Sequence, residues 1–189
     1  MNPDIQQNQK RIEELLLSTN RKGMENLLEY MRTSGFFTSP ASIKFHGCYA
    51  GGLAVHSLGV YDLLDLYALS LKLECPVDSL IIAPLLHDLC KIGAYIGDRK
   101  PYTYNRSNPK GHAVLSIERI SRFIKLTELE EKMILYHMGV YGLNEFDERK
   151  GEYPLRGGGM ANAWHHHTIV KVMYFCDELA TLDEIADEF

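Results

Sequence analysis

Apolar residues recur every three to four positions along most of the chain, which is the period of an amphipathic helix. The pattern predicts about seven helices and therefore an all-α bundle. They are expected near residues 5–17, 24–31, 52–73, 76–92, 111–124, 127–138 and 164–182. Two irregular stretches, 93–110 and 139–161, are predicted to be long loops, the first with a small hairpin around Tyr102 and Tyr104.

Length and composition narrow the class of protein. A chain of 189 residues suits one domain, and we predict a helical extension over residues 1–44 and a core over 45–182. No apolar run reaches the roughly 20 residues of a membrane span. The N-terminal segment is polar before it is apolar, which argues against a secretory signal peptide. The net charge of −5 argues against binding of long nucleic acid. The four cysteines form no CxxC pair, so we expect reduced thiols in a cytoplasmic protein.

Four polar side chains interrupt the apolar stripes of separate predicted helices. They are His56, Asp88, His137 and Asp177. Their apolar neighbours at helical spacing predict that all four face the core. An ionised carboxylate buried without a partner costs several kcal/mol, and we recognise no lysine or arginine on the stripes of the two aspartates. A divalent cation bound by histidines and carboxylates would offset this cost. The alternative is that each is an ordinary hydrogen-bonded core residue.

One string carries a resemblance to a known family. LLHDLCKIG at residues 85–93, with GGLAVHS before it and MYFCDELAT after it, resembles the HD-domain metal-dependent phosphohydrolase superfamily. That family is defined by a histidine, an adjacent His-Asp doublet and a distant aspartate on helices of one bundle. The matching positions are His56, His87, Asp88 and Asp177, and the resemblance covers about residues 45–182.

Two further histidines make the chain most similar to the two-metal branch, among small bacterial HD hydrolases. His112 in PKGHAVLSIERI and His137 in ILYHMG match positions that bind a second cation in that branch. The resemblance implies a first ion on His56, His87, Asp88 and Asp177, and a second on Asp88, His112 and His137. We therefore expect two divalent ions per chain, and Fe, Mn, Co, Ni and Zn all accept such ligands. The alternative for His112 is contact with a substrate phosphate alone.

The chain departs from the family at two points. The doublet continues as HDLCK, with Cys90 where the family often has glycine, and we interpret this as a tolerated packing variation. The loop after the doublet has no Gly-Tyr-Pro triplet. This triplet marks the branch that hydrolyses cyclic dinucleotides, so its absence argues against that substrate.

These residues predict a hydrolase that cleaves a phosphoester by attack of a metal-activated water. We expect a small phosphorylated substrate, either a nucleotide or a short oligonucleotide. Lys91 shares a helix face with Asp88, so these two are the candidate catalytic residues. The candidate substrate contacts are Lys91, Arg99, Arg106, Lys110 and His167. A solvated surface loop would explain the three residues of the first long loop equally well.

Three other functions stay open. HD modules also occur in a 3′-to-5′ exoribonuclease family, although this chain has no room for the nucleic-acid-binding domain of such relatives. A di-iron oxygenase could use the same ligand set. A non-enzymatic module that binds a nucleotide as a signal would keep its binding function when Asp88 is replaced. The apolar first helix also leaves a homo-oligomer open, since it could pack against a partner subunit.

Overall fold

The computed structural model describes residues 4–109, 111–144, 147, 151, 153 and 158–186. These residues form eight α-helices, which confirms the all-α prediction. The helices are α1 (Ile5–Ser18), α2 (Met24–Ser34), α3 (Gly52–Ser70), α4 (Val77–Leu86), α5 (Ala113–Ser121), α6 (Glu128–Tyr136), α7 (Gly159–His166) and α8 (Thr168–Ala186). Strands β1 (Tyr95–Ile96) and β2 (Thr103–Tyr104) pair antiparallel as the predicted hairpin. The segments Leu89–Lys91 and Gly139–Asn144 are 3₁₀ turns.

Four helices enclose the core. Helix α3 packs against α4 and α8, and α6 packs against the same two helices. Helix α1 packs on α3 and α4, and its Ile12 and Leu16 are fully buried in the same core. Part of the apolar surface of this helix is therefore covered by the chain itself, whereas Leu17 is exposed, and a homo-oligomer stays a prediction. The division into residues 1–44 and 45–182 stays a prediction, and none of the described helices is long and apolar enough to cross a membrane.

The predicted final helix is two helices, which is why the count exceeds seven. The backbone leaves the helical region at His167, with φ −134° and ψ 88°. The amide of His167 donates to the carbonyl of Ala163 at 2.8 Å and so closes α7. A single non-helical residue leaves the apolar pattern on either side nearly unchanged, so hydrophobic periodicity does not reveal the break.

The predicted helix over residues 76–92 ends early, at Leu86, and the 3₁₀ turn Leu89–Lys91 follows. One buried guanidinium compensates for the lost helical hydrogen bonds. Nη1 of Arg119 in α5 donates to the carbonyls of Leu89, Cys90 and Ile92 at 3.0, 3.1 and 2.9 Å. These bonds satisfy carbonyls that a continuing helix would have paired, and they fix the turn after the His-Asp doublet.

Two glycines set the start of α3. Gly51 caps the helix with φ 87°, a left-handed conformation that favours glycine. A Cβ at Gly52 would lie 2.0 Å from the carbonyl oxygen of Gly47. The chain therefore packs backbone against backbone here, and only glycine fits at residue 52. This contact holds the preceding loop against the helix that carries His56.

A buried glutamate joins α6 to the first half of the chain. Glu130 and Thr127 form the capping box indicated by the sequence, with bonds of 2.8 and 3.2 Å. The Glu130 carboxylate also accepts two bonds from Arg21, at 2.8 and 3.0 Å, and one from Ser79 at 3.0 Å. Its side chain is fully buried, so these partners compensate for its charge.

Candidate metal centre

Five helices bring six histidine and aspartate side chains to one place in the core. His56 lies in α3, His87 and Asp88 end α4, His112 precedes α5, His137 ends α6 and Asp177 lies in α8. The four imidazoles form a continuous row. Ring centroids are 5.3 Å apart for His56 and His87, 4.7 Å for His87 and His137, and 5.3 Å for His112 and His137. All six residues that the sequence predicts as ligands are thus brought together.

Asp88 lies between two sets of imidazoles. Its Oδ2 is 3.3 Å from Nε2 of His87 and 3.7 Å from Nε2 of His56. Its Oδ1 is 2.9 Å from Nε2 of His112 and 3.8 Å from Nε2 of His137. The two oxygens of one carboxylate therefore face different pairs of nitrogens, which is the arrangement required of a ligand shared by two ions.

Asp177 completes the first of these sets. Its Oδ1 lies 2.9 Å from Nε2 of His56 and 3.4 Å from Nε2 of His87. Three overlapping groups of side chains offer ligand atoms within 4.8 Å of one another and could hold a metal ion. They are His56, His87 and Asp88; His87, His137 and Asp177; and Asp88, Cys90 and His112. The donors are imidazole nitrogens and carboxylate oxygens, with one sulfur.

Several of these buried atoms have no hydrogen-bond partner. Within the described part of the chain, this holds for Nε2 of His87 and His137 and for Oδ1 of Asp88, whose approach to His112 does not meet hydrogen-bond geometry. The Nδ1 atoms of His87 and His137 do have partners, the carbonyls of Pro84 and Ile134, at 2.7 and 2.5 Å. A neutral ring that donates through Nδ1 presents the lone pair of Nε2 to the cluster. The donor set therefore fits a bound cation.

The pKa shifts are consistent with this chemistry. Burial raises the pKa of both carboxyls, but the charges of Lys91 and His87 hold the pKa of Asp88 well below its usual value, and hydrogen bonds with His56 and His87 do the same for the pKa of Asp177. Burial, reinforced by His87, lowers the pKa of His137 to about 3. Burial also opposes the charged form of His87, yet Asp88 and Asp177 raise its pKa to about 10. A cation bound through His87 must therefore displace a proton.

Comparison with known proteins identifies the family. The HD domain family matches residues 53–180, which is more than half of the chain. The chain belongs to the HD domain family. No curated protein and no solved structure matches it. HD domains bind divalent metal ions and are in general metal-dependent hydrolases, so membership suggests metal-dependent phosphohydrolase activity.

Lys91 of this HD domain is a direct partner of Asp88. Its Nζ lies 2.6 Å from Oδ2 of Asp88, and the lysine is only 9% exposed. This contact agrees with the prediction that Lys91 shares a face with Asp88, and our expectation that the aspartates lack a lysine on their own stripe is wrong for Asp88. The 3₁₀ turn after α4 folds the lysine back onto the carboxylate, so the assumption of a continuous helical stripe does not describe this contact.

A cleft of about 660 Å³ opens beside the cluster. Its lining consists of Cys90, Lys91, Ala94, Tyr95, Tyr104, Asn105, Arg106, Asn108, Pro109, Gly111, His112 and Met138. Arg106 is thus on its wall, whereas Arg99 is exposed and is not among the lining residues. Tyr104 lines the cleft, but Tyr102 is buried. Lys110, also predicted to contact substrate, lies outside the described residues.

His167 is not brought to the cluster. It lies at the junction of α7 and α8, where its Nε2 is 3.3 Å from Nζ of Lys132, and it lines a separate surface depression. Its separation of ten residues from Asp177 within one predicted helix indicates a shared face, but the helix breaks at His167. Ten residues of helix span about 15 Å along the axis, so a shared face does not bring two side chains to the same level.

His46 was missing from the predicted site. Its ring centroid lies 4.8 Å from that of His56, and no described residue is a hydrogen-bond partner for its buried Nε2. Burial, together with the charges of His56 and Lys91, lowers its pKa to about 4. His46 lies in the loop before α3, where no helical periodicity indicates which way a side chain points.

Proposed function

We propose that this HD domain is a hydrolase that holds two divalent ions and cleaves a phosphoester of a nucleotide or short oligonucleotide. The observation that carries the proposal is the position of Asp88, whose two oxygens face separate pairs of imidazoles. One ion would take His56, His87, Asp88 and Asp177. The other would take Asp88, His112 and His137.

The donor set favours a transition metal. Four imidazoles and two carboxylates suit Fe, Mn, Co, Ni or Zn better than Mg or Ca, which prefer oxygen ligands. Bound ions would polarise a phosphate and lower the pKa of water in the site. The hydrogen bonds from Nδ1 of His87 and His137 to backbone carbonyls would orient these rings before an ion binds.

The cleft supports a small phosphorylated substrate. Its volume of about 660 Å³ falls within the roughly 300–1,000 Å³ of ordinary ligand pockets. Among the described lining residues, Lys91 and Arg106 carry a permanent positive charge, and both would attract a phosphate. Tyr95 and Tyr104, with ring centroids 5.5 Å apart, offer aromatic surface on which a base could stack. These features favour a nucleotide and favour hydrolysis over the oxygenase alternative.

The proposal is tested by metal content and turnover measured together. Protein purified without a metal-affinity step is analysed for its elements, then assayed with each divalent ion on nucleoside phosphates, cyclic nucleotides and short oligonucleotides. We expect two ions in the wild type, about one in His137→Ala and almost none in Asp88→Ala, because Asp88 faces both sets of ligands. Asp88→Ala should also lose at least about a hundredfold in turnover.

Asp65→Ala is the matched control, since Asp65 is an exposed carboxylate on α3 and should leave both properties unchanged. A wild type without metal that hydrolyses no phosphoester under any divalent ion would contradict the proposal. Oxygen-dependent activity with bound iron, and none on phosphoesters, would establish the oxygenase instead. Stepwise removal of nucleotides from the 3′ end of long RNA would establish the exonuclease.

A further inference from the structure

The thiol of Cys90 contacts a predicted metal ligand, His112, through the ring nitrogen that does not contact Asp88. Its Sγ lies 3.2 Å from Nδ1 of His112, while Nε2 of the same ring lies 2.9 Å from Oδ1 of Asp88. The thiol and the carboxylate therefore approach opposite nitrogens of one imidazole. The side chain of Cys90 is buried, with the residue 3% exposed, so water does not compete freely for this contact.

His112 needs such a partner because of its place in the fold. His87 and His137 end their helices, and each donates through Nδ1 to the carbonyl three residues earlier. His112 instead precedes α5, with φ −124° and ψ −83°, and follows Gly111 at φ 113°. No helical turn precedes it, so the carbonyl that orients the other two rings is missing.

We propose that Cys90 is a positioning residue for His112, with Sγ as the acceptor for the Nδ1 proton. A ring that keeps its proton on Nδ1 presents an unprotonated Nε2 to the second ion. The inference rests on the proposed function, because it concerns a ligand of that ion. It also revises our interpretation of Cys90 as a mere packing variation.

The backbone of Cys90 is held firmly enough for this role. Its amide donates to Oγ of Ser116 at 3.0 Å, and its carbonyl accepts from Arg119 at 3.1 Å. Both partners belong to α5, the helix that His112 precedes. The thiol and the imidazole are therefore positioned by the same helix, and their separation does not depend on a flexible loop.

Direct ligation by Cys90 is the main competing role. Ligand atoms of Asp88, Cys90 and His112 lie within 4.8 Å of one another. However, Sγ contacts Nδ1 of His112 whereas Asp88 contacts Nε2, so the two groups approach different nitrogens of the ring. A bound thiolate would also give a sulfur-to-metal charge-transfer band with Co²⁺, which separates the two roles.

Titration of the metal-free protein with Co²⁺, followed by visible and near-ultraviolet absorption, tests the inference. For Cys90→Ala we expect about tenfold weaker binding of the second ion and unchanged binding of the first, in line with the effect of ligand-orienting groups. Cys90→Ser should recover part of the loss, because its hydroxyl also accepts a hydrogen bond. Cys75→Ala, which removes a thiol outside the cluster, should bind like the wild type, and wild type should show no charge-transfer band.

Combination with His112→Ala adds a second criterion. If Cys90 acts through His112, then Cys90→Ala should cause no further loss of Co²⁺ affinity in the His112→Ala background. Cys90→Ser serves this comparison as well if Cys90→Ala folds poorly. Independent, additive losses would overturn the inference.

The remaining outcomes are equally decisive. If the wild type binds two Co²⁺ ions and Cys90→Ala binds the second ion as tightly as the wild type, this inference is overturned and the proposed function stands. A charge-transfer band that Cys90→Ala abolishes would make Cys90 a ligand, and equal weakening of both phases would make its role structural. A wild type that takes up no second Co²⁺ would overturn the two-ion proposal and this inference together.

Discussion

The ammonium group of Lys91 lies 2.6 Å from Oδ2 of Asp88, and both residues are buried. This ion pair involves the carboxylate that faces both sets of imidazoles. The lysine also lines the cleft beside His112. It therefore compensates the charge of Asp88 and can still reach a phosphate that enters the cleft.

Lys91→Met should separate stability from metal binding. Without metal, the variant should lose about 3 kcal/mol of unfolding free energy, because Asp88 keeps its charge and loses a buried partner. Metal affinity should not fall, since a repelling cation is removed, but turnover should fall by roughly a hundredfold. Urea unfolding with and without metal measures the first effect. Lys10→Met, at an exposed lysine, is the control. Wild-type turnover in Lys91→Met would refute a role of Lys91 in binding the substrate phosphate.

The two arginines of the first long loop should behave differently. Arg106 lines the cleft and Arg99 does not. Arg106→Ala should raise KM about tenfold with little change in kcat, because an arginine–phosphate contact is lost. Arg99→Ala is matched in charge and exposure and should leave both constants near wild type. Equal effects of the two substitutions would show that the loop contributes only general charge.

Glu130 should make the fold sensitive to acid. Burial raises its pKa, but bonds from Arg21, the Thr127 amide and Ser79 bring that pKa below the ordinary 4.5. A carboxyl with a lowered pKa contributes stability that is complete above 4.5 and is lost as the pH falls through the folded value. Arg21→Met should therefore cost about 3 kcal/mol at neutral pH, and this difference from wild type should shrink in acid.

Urea denaturation as a function of pH measures this effect. Arg11→Met is the control, because Arg11 pairs with Asp62 at an exposed site and should cost less than about 1 kcal/mol. A cost for Arg21→Met that stays constant from neutral to acid pH would show that Glu130 is not responsible.

Gly52→Ala should disturb both the fold and the metal centre. The new Cβ would lie 2.0 Å from the backbone oxygen of Gly47, so the loop or the helix must shift. We expect a loss of about 3 kcal/mol and weaker Co²⁺ binding, because the loop holds His46 and the helix holds His56. Gly59→Ala in the same helix meets only Ala180, at 3.6 Å, and should gain up to about 1 kcal/mol. Thermal unfolding with Co²⁺ titration measures both variants.

Helical periodicity predicts the face of the helix on which a side chain lies, but not the position of that side chain along the helix axis. It therefore indicates that His56, His137 and Asp177 point inward, and the resemblance relates them to the doublet. It fails for His167, which lies at the break between α7 and α8, about three helical turns before Asp177. It also gives no information on His46, whose position depends on the conformation of a loop.

The turn after the doublet shows a second limit. The apolar run over residues 76–92 contains no strong signal for the end of α4 at Leu86, because the carbonyls freed there are satisfied by Arg119, which lies about thirty positions later. The contact of Lys91 with Asp88 and that of Cys90 with His112 both follow from this turn. The contact of Lys91 with Asp88 agrees with their three-residue spacing, whereas the hydrogen bonds of Arg119 and the contact of Cys90 with His112 cannot be inferred from local spacing.

The guanidinium of Arg119 has a consequence for how the cleft can adapt. Besides the three carbonyls, its Nη2 donates to Oδ1 of Asn108 at 3.0 Å, in the loop that leads from the hairpin to α5. Arg119 thus holds both the 3₁₀ turn Leu89–Lys91, which forms the floor of the cleft, and Asn108, at one end of its wall. If substrates of different shape enter the cleft, the hairpin between these anchors is the part of the wall that Arg119 leaves unheld, so changes near Tyr104 should alter ligand selectivity without loosening the 3₁₀ turn.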